Sequence, residues 1–255
     1  MSTIVANSAD ISALSDSALK EALKKRPVLL LPIGAVESHG EHLPAGTDNI
    51  LAERLADALI ETIGDATPVL RLPVIPFGQV WSLADAPGSF GVSNATVTNI
   101  LLDIARSAKA KGLATMVVIN AHLGNAAAIR DAQRLAKDED IVMANFFYPG
   151  AERAIARVRE RPEAHGAFMH ACEIETSYML HLAPESVDMN LATENYPEFP
   201  DDFDIVPYRW TEFSESPVLG DPRAASADKG KAILDEVLVN MAKQISVLYS
   251  RQFKE

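Results

Sequence analysis

Six consecutive residues, Val28 to Ile33, are apolar without a polar break. So short a run does not span a bilayer, and its lack of alternation is that of a strand buried on both faces, as in a helix-covered parallel sheet. Two further strands are expected downstream, at 115–120 around the apolar run Met116–Ile119 and at 141–147. A weaker strand is expected at 69–75, interrupted by Pro73. Between the runs the apolar period changes to that of a helix. Residues 49–63 place Leu51, Leu55 and Leu59 every fourth position, with Gly64 as a stop. Ser93 is positioned to cap a helix whose inner face is Val97, Ile100, Leu101, Ile104 and Ala108. More helices are expected at 125–137, 173–182 and 228–249, the last presenting Leu234, Val237, Leu238, Met241, Ile245 and Leu248 on one face. Strands alternating with helices predict an α/β fold with a mostly parallel sheet.

Residues 193–222 have no sustained period and mix acidic, aromatic and proline residues. Tyr208, Trp210 and Phe213 are poor choices for a solvated tether, so this segment is expected to be an ordered excursion or lid. With no internal repeat and no low-complexity tract, residues 1–255 are expected to form one domain.

Composition narrows the function classes. At 48% hydrophobic and 23% charged residues the chain has ordinary globular usage, which excludes a disordered or fibrous protein. A net charge of −12 argues against nucleic acid or an anionic membrane as partner. The single cysteine, Cys172, excludes a disulfide framework and a multi-cysteine zinc site. Residues 1–10 lack a basic region followed by an apolar stretch, so a cytoplasmic location is expected.

The chemistry-bearing residues gather where strands end, the edge at which open α/β sheets bind ligands. Directly after the first strand comes Glu37-Ser38-His39-Gly40-Glu41-His42, and then Pro44, Gly46 and Asp48. In extended chain Glu37 and His39 point the same way, and the glycines let the loop bring Asp48 to them. Mixed imidazole and carboxylate donors suit Zn²⁺, Mn²⁺ or Fe²⁺ rather than Ca²⁺. A polar surface loop would carry the same letters, but a second cluster, Asn120-Ala121-His122-Leu123-Gly124-Asn125, ends another strand. A third, His170-Ala171-Cys172-Glu173-Ile174-Glu175-Thr176-Ser177, enters a helix; early acids there complement the helix dipole, which accounts for one glutamate but not for His170. His181, alone on a helix, is read as structural, and Cys172 as a small buried apolar residue.

Together the three segments resemble the creatininase (creatinine amidohydrolase) family, whose pattern runs Glu-x-His-Gly-x-His-Leu-Pro with Gly-Thr-Asp, then Asn-Gly-His-Gly-Gly-Asn, then His-Ala-Gly-Glu-x-Glu-Thr-Ser. Ala86-Pro87-Gly88-Ser89 is similar to its Phe-Pro-Gly-Thr. The resemblance implies a three-layer αβα fold, often hexameric, with two divalent ions (Zn, Mn or Fe) at the carboxyl edge of the sheet. It implies Glu37 and His122 as ligands of one ion, His39 of the other, and Asp48 as the bridge. Creatininase itself completes the site with a glutamate two residues after the motif histidine, where Gly124 stands here. The resemblance to members with glycine at that place implies Glu175 instead, and creatinine is a doubtful substrate.

The activity so implied is hydrolysis of a C–N bond in a small polar substrate, a cyclic amide or formamide, by water activated between the ions. His170, or alternatively Glu173, is expected to move the proton to the leaving amine. His42 is expected to orient a ligating carboxylate, and Ser82 and Asn125 to support the ligands or meet the substrate. Rival readings are a C–C bond hydrolase acting on an oxidised cyclitol and a metal-containing small-molecule binding protein without turnover. The expected partners are the small substrate and further copies of the chain, most simply a hexamer.

Overall fold

The computed structural model describes residues 9–253; the N-terminal stretch read above for a leader lies mostly outside them. Four strands, β1 (Val28–Ile33), β2 (Val69–Arg71), β3 (Thr115–Asn120) and β4 (Val142–Phe146), pair in parallel in the order β2-β1-β3-β4. Side chains alternate across this sheet. Val28, Leu30, Val117 and Ile119 pack on one side against α2 (Thr47–Ile63), α5 (Ala151–Val158), α6 (Glu173–Leu182) and α7 (Ala227–Arg251). Leu29, Leu31, Ile33, Met116 and Val118 pack on the other against α1 (Asp16–Lys24), α3 (Asn94–Lys109) and α4 (Ala126–Asp138). The result is the expected αβα sandwich, and each fully buried Leu or Ile contributes about 2 kcal/mol from area removed from water. Among the described residues, no helix is long and apolar enough to cross a membrane.

Several expectations shift in detail. The weak strand shortens to three residues because Pro73 has no N–H for the ladder; Ile75 rejoins as an isolated bridge to Ile33. Helix α2 begins at Thr47, two residues early, so Asp48 stands in its first turn rather than in the preceding loop. Ser93 caps α3 through the Thr96 amide, as expected, but Ile100 is exposed, because the packed stripe centres on Val97, Leu101, Ala105 and Ala108 and leaves it at the rim. Helices α1 and α5, too short to show a sustained period, had not been anticipated.

Residues 193–222 are irregular but fold back on the body. Asn195 and Gly220 exchange backbone hydrogen bonds, and Leu219 pairs with His170. This pairing is what carries Trp210 to the carboxyl edge of the sheet.

Because β2 lies on one side of β1 and β3 on the other, the connections leaving β1 and β3 diverge. The crevice between their carboxyl ends is the topological switch point, and the loops that open into it carry Glu37, His39 and His122.

Candidate metal centre

Glu37 and His39 leave β1 in a loop pinned by Glu37 N–H donating to Ala45 O and by the Val36–Phe90 bridge. Asp48 enters from α2, His122 from the end of β3, His170 from the bridge to Leu219 that precedes α6, and Glu175 from the first turn of α6. All six are buried.

Asp48 offers its two oxygens in two directions. Oδ1 lies 3.4 Å from His39 Nε2, and Oδ2 lies 3.1 Å from His122 Nδ1. Glu37 Oε2 is 3.3 Å from His122 Nδ1, and Glu175 Oε2 is 3.8 Å from His39 Nε2. Donor atoms of Glu37, Asp48 and His122 lie within 4.8 Å of one another; so do those of His39, Asp48 and Glu175, and of Glu37, His39 and His170. Ligands about 2.0–2.1 Å from an ion stand about 3.3 Å apart at the tetrahedral angle. The separations among Glu37, His39, Asp48 and His122, 3.1–3.4 Å, match that edge and exceed the 2.7–2.9 Å of a charge-assisted hydrogen bond. His39 Nε2 and Asp48 Oδ2 are buried without a hydrogen-bond partner, an arrangement that costs free energy unless something else binds them.

The far nitrogen of each histidine is held by a carbonyl. His39 Nδ1 faces Glu37 O at 2.9 Å, His122 Nε2 faces Gln79 O at 2.6 Å, and His170 Nε2 faces Ser38 O at 2.8 Å. In the neutral ring these carbonyls fix the tautomer, leaving the inward nitrogen with the lone pair by which histidine ligates metal.

Electrostatics point the same way. Burial and the neighbouring acids push Glu37 up to about 7, with His122 opposing them. Burial works against charge on His39, but Asp48 outweighs it and raises the ring to about 10; for His122 the same contest ends at about 9. Asp48 is held below the usual carboxylate range, despite burial, by His39 and His122, while burial raises Glu175. Without cations, protons on His39 and His122 supply the positive charge that the buried carboxylates require. His170 shows the opposite result: burial and His39 lower it to about 3, leaving a neutral ring.

Gly124 bears on which acid can complete the cluster. A Cβ there would run into the Gln79 carbonyl and His122 Nε2, so this loop has no space for a glutamate. Glu175 fills the gap from α6, its Oε2 also accepting the Ala171 amide.

Other expected residues are placed differently. Glu173, two residues before Glu175, points about 200° round the helix. It accepts the Glu160 and Arg161 amides and pairs with Lys229 at 2.6 Å, so the structure does not bring it to the cluster as a proton shuttle. His42 binds no carboxylate; its Nε2 lies 3.0 Å from Thr176 Oγ1, tying the β1 loop to the helix that carries Glu175. Asn125 is buried and donates to Gly34 O at 3.0 Å while accepting from Gln79 N–H at 2.9 Å, locking the strand-end loops together. Ser82 stands in the wall of the cavity. Cys172 is buried, and burial pushes its thiol up to about 11, which suits an inert residue.

The cluster opens into a cavity of about 220 Å³ whose walls include Tyr148, Phe168, Met169 and Trp210. Trp210 stands 5.4 Å, ring to ring, from His170. Tyr148 was not anticipated from the sequence. It follows β4 with φ 44, in the left-handed region, stacks on Tyr178 at 4.8 Å, and buries its hydroxyl without a partner. Its place at the carboxyl end of a strand was the signal that would have found it.

Comparison with known proteins agrees with this geometry. The family model for creatininase, described as creatinine amidohydrolase, matches residues 12–245. The mycofactocin precursor peptide peptidase of Mycolicibacterium smegmatis is 28% identical over 243 residues, covering 92% of this chain and 90% of its own. The creatinine amidohydrolase of Pseudomonas putida is 26% identical over 234 residues, 86% of this chain and 88% of its own. In fold, a solved structure described as "Creatininase Mn" superposes with a TM-score of 0.84 at 24% identity, covering 94% of this chain and 98% of that one. The protein belongs to the creatininase family and is a metal-dependent amidohydrolase.

Proposed function

We propose that the protein hydrolyses a C–N bond of a small uncharged amide at two divalent transition ions, one held by Glu37, Asp48 and His122 and the other by His39, Asp48 and Glu175. The observation that carries this reading is Asp48, whose two oxygens face two different histidines at 3.4 and 3.1 Å. When bound, the ions supply the charge that activates water and polarises the amide carbonyl. The chain's own groups do the rest. His170, neutral and held at Nε2 by Ser38 O, keeps Nδ1 free to take a proton from water and pass it to the leaving nitrogen. Trp210 and Phe168 wall the cavity and exclude bulk water. Creatinine and a precursor peptide are the substrates named for relatives; a cavity of about 220 Å³ suits a compact amide. The whole chain acts as one domain, in the cytoplasm, assembled as a homo-oligomer.

Elemental analysis after reconstitution with Zn²⁺, Mn²⁺ or Fe²⁺ tests the centre, together with an amide and lactam screen on the same preparations. About two ions per chain are expected. Less than about half an equivalent of every such metal would end the two-metal reading.

A further inference from the structure

Next to the catalytic cavity lies a second one, of about the same size, 220 Å³. The two share Ser82, Phe168 and Trp210 as common walls, so they adjoin each other at Trp210. The remaining walls come mainly from the irregular excursion, with Phe199, Phe203, Tyr208 and Phe213, and from Trp81 of the loop after β2. No charged side chain lines it. Arg209 is engaged over the face of Trp81 at 4.3 Å, and Tyr208 donates its hydroxyl to Asp202 at 2.6 Å.

A cluster of this kind beneath a loop normally closes on itself at the density of an organic crystal. Here the rings touch, Phe203 and Phe213 at 5.1 Å and Phe199 and Phe203 at 4.7 Å, yet they border a partly open slot of about 220 Å³, room enough for one aromatic ring. Ring faces and edges bordering a slot favour a flat apolar guest. The only route that gives such a guest a chemical purpose is the shared wall, since Trp210 lies between the slot and His170.

We propose that this annex receives an uncharged aromatic group of the substrate while the amide attached to it lies in the catalytic cavity against Glu37, Asp48 and His170. The assignment rests on the amidase function proposed above and specifies its substrate class: a compact amide carrying a neutral aromatic arm. The excursion then acts as the specificity element of the enzyme, and Phe203 and Trp210 are positioning residues for that arm.

The chain contains two tryptophans, Trp81 and Trp210, and both wall the annex. Their emission therefore reports occupancy without any turnover, in metal-free and metal-loaded protein alike. The probes are N-benzylacetamide, N-methylacetamide and 4-(acetamidomethyl)benzoate, the last carrying a carboxylate on the same ring. A saturable emission change is expected with N-benzylacetamide and none with N-methylacetamide at equal concentration. Binding of the charged analogue is expected to be weaker by about tenfold or more, because the walls of the annex include no charged side chain and burying a carboxylate there is costly. Phe203→Ala is expected to weaken N-benzylacetamide by about tenfold, with circular dichroism and metal content confirming an intact fold. Equal responses to the benzyl and methyl amides, or an unchanged affinity in Phe203→Ala, would overturn the annex while leaving the two-metal amidase standing. Binding of N-benzylacetamide to a protein that takes up no metal would instead overturn the amidase reading, and with it the assignment of this group as part of a substrate.

Discussion

Asp48 and His170 sit within one cluster but face different duties. Both proposed metal sites include Asp48, so Asp48→Ala will strip the protein of most of its metal, measured by elemental analysis after dialysis. His170 is placed to handle a proton, so His170→Ala will keep the metal and lose activity; the opposite pattern would exchange the two roles. The pH dependence follows from the same residues. In metal-free protein His39 and His122 are raised to about 10 and about 9, above the ordinary histidine value near 6.5. Raised folded values mean that the native state binds more protons than the unfolded chain, so this stabilisation is complete below about pH 6.5 and disappears as pH climbs through 9 to 10. Metal-free protein should therefore melt at falling temperatures across that window, and the metal-loaded form should not, since ions replace the protons. A Tm that rose with pH in the metal-free protein would contradict the assignment. Tyr148 gives a separate check: its hydroxyl is buried and unpaired, so Tyr148→Phe removes a desolvated group and should not lower stability in a urea titration.

Helix α6 shows how one element divides its chemistry. Glu175 turns to His39, whereas Glu173, also buried, turns away to Lys229 and the Glu160 amide, because neighbours two apart on a helix face opposite ways. The segment's letters admitted both as acids of the site; only the helix phase separated them. Helix α7 holds α6 in that phase. Gly230, in the first turn of α7, lies so close that a Cβ would run into the Ser177 carbonyl. Gly230→Ala will force the helices apart and cost about 2 kcal/mol, despite the better helix propensity of alanine. A lower urea midpoint with an unchanged slope is the expected result, and because Glu175 moves with α6, metal affinity will fall as well.

At the scale of the molecule, the excursion solves one exposure problem and leaves another. Trp210 and Phe213 pack within the protein, against His170 and against each other. Ile205 remains 84% exposed and Phe90 64%, and Trp81 and Val206 also reach solvent. Exposed apolar side chains such as these are what the homo-oligomer proposed above would cover. Light scattering at micromolar concentration is expected to give a multiple of 27.5 kDa, a hexamer being the assembly proposed; a stable monomer would refute it.

What the chain determines by itself is local. The apolar runs specify strands, the unbroken one at Val28–Ile33 a strand covered on both faces, the caps at Ser93 and Gly64 delimit helices, and metal-compatible residue types stand immediately after strands. These follow from periodicity and steric preference within a few residues, and the family motifs add which letters to watch. Ile100 and Pro73 show the limit even there, since one packing stripe and one missing amide redrew the local pattern. The pairing of ligands was decided elsewhere. His39 meets Asp48 and Glu175, and His122 meets Glu37, only because the order β2-β1-β3-β4 places two strand ends side by side and α7 presses α6 against them. Tyr148, the diversion of Glu173 and the annex beneath Trp210 belong to the same class. Each depends on distances between residues far apart in sequence, and those distances are set by the packing of layers, which no local preference encodes.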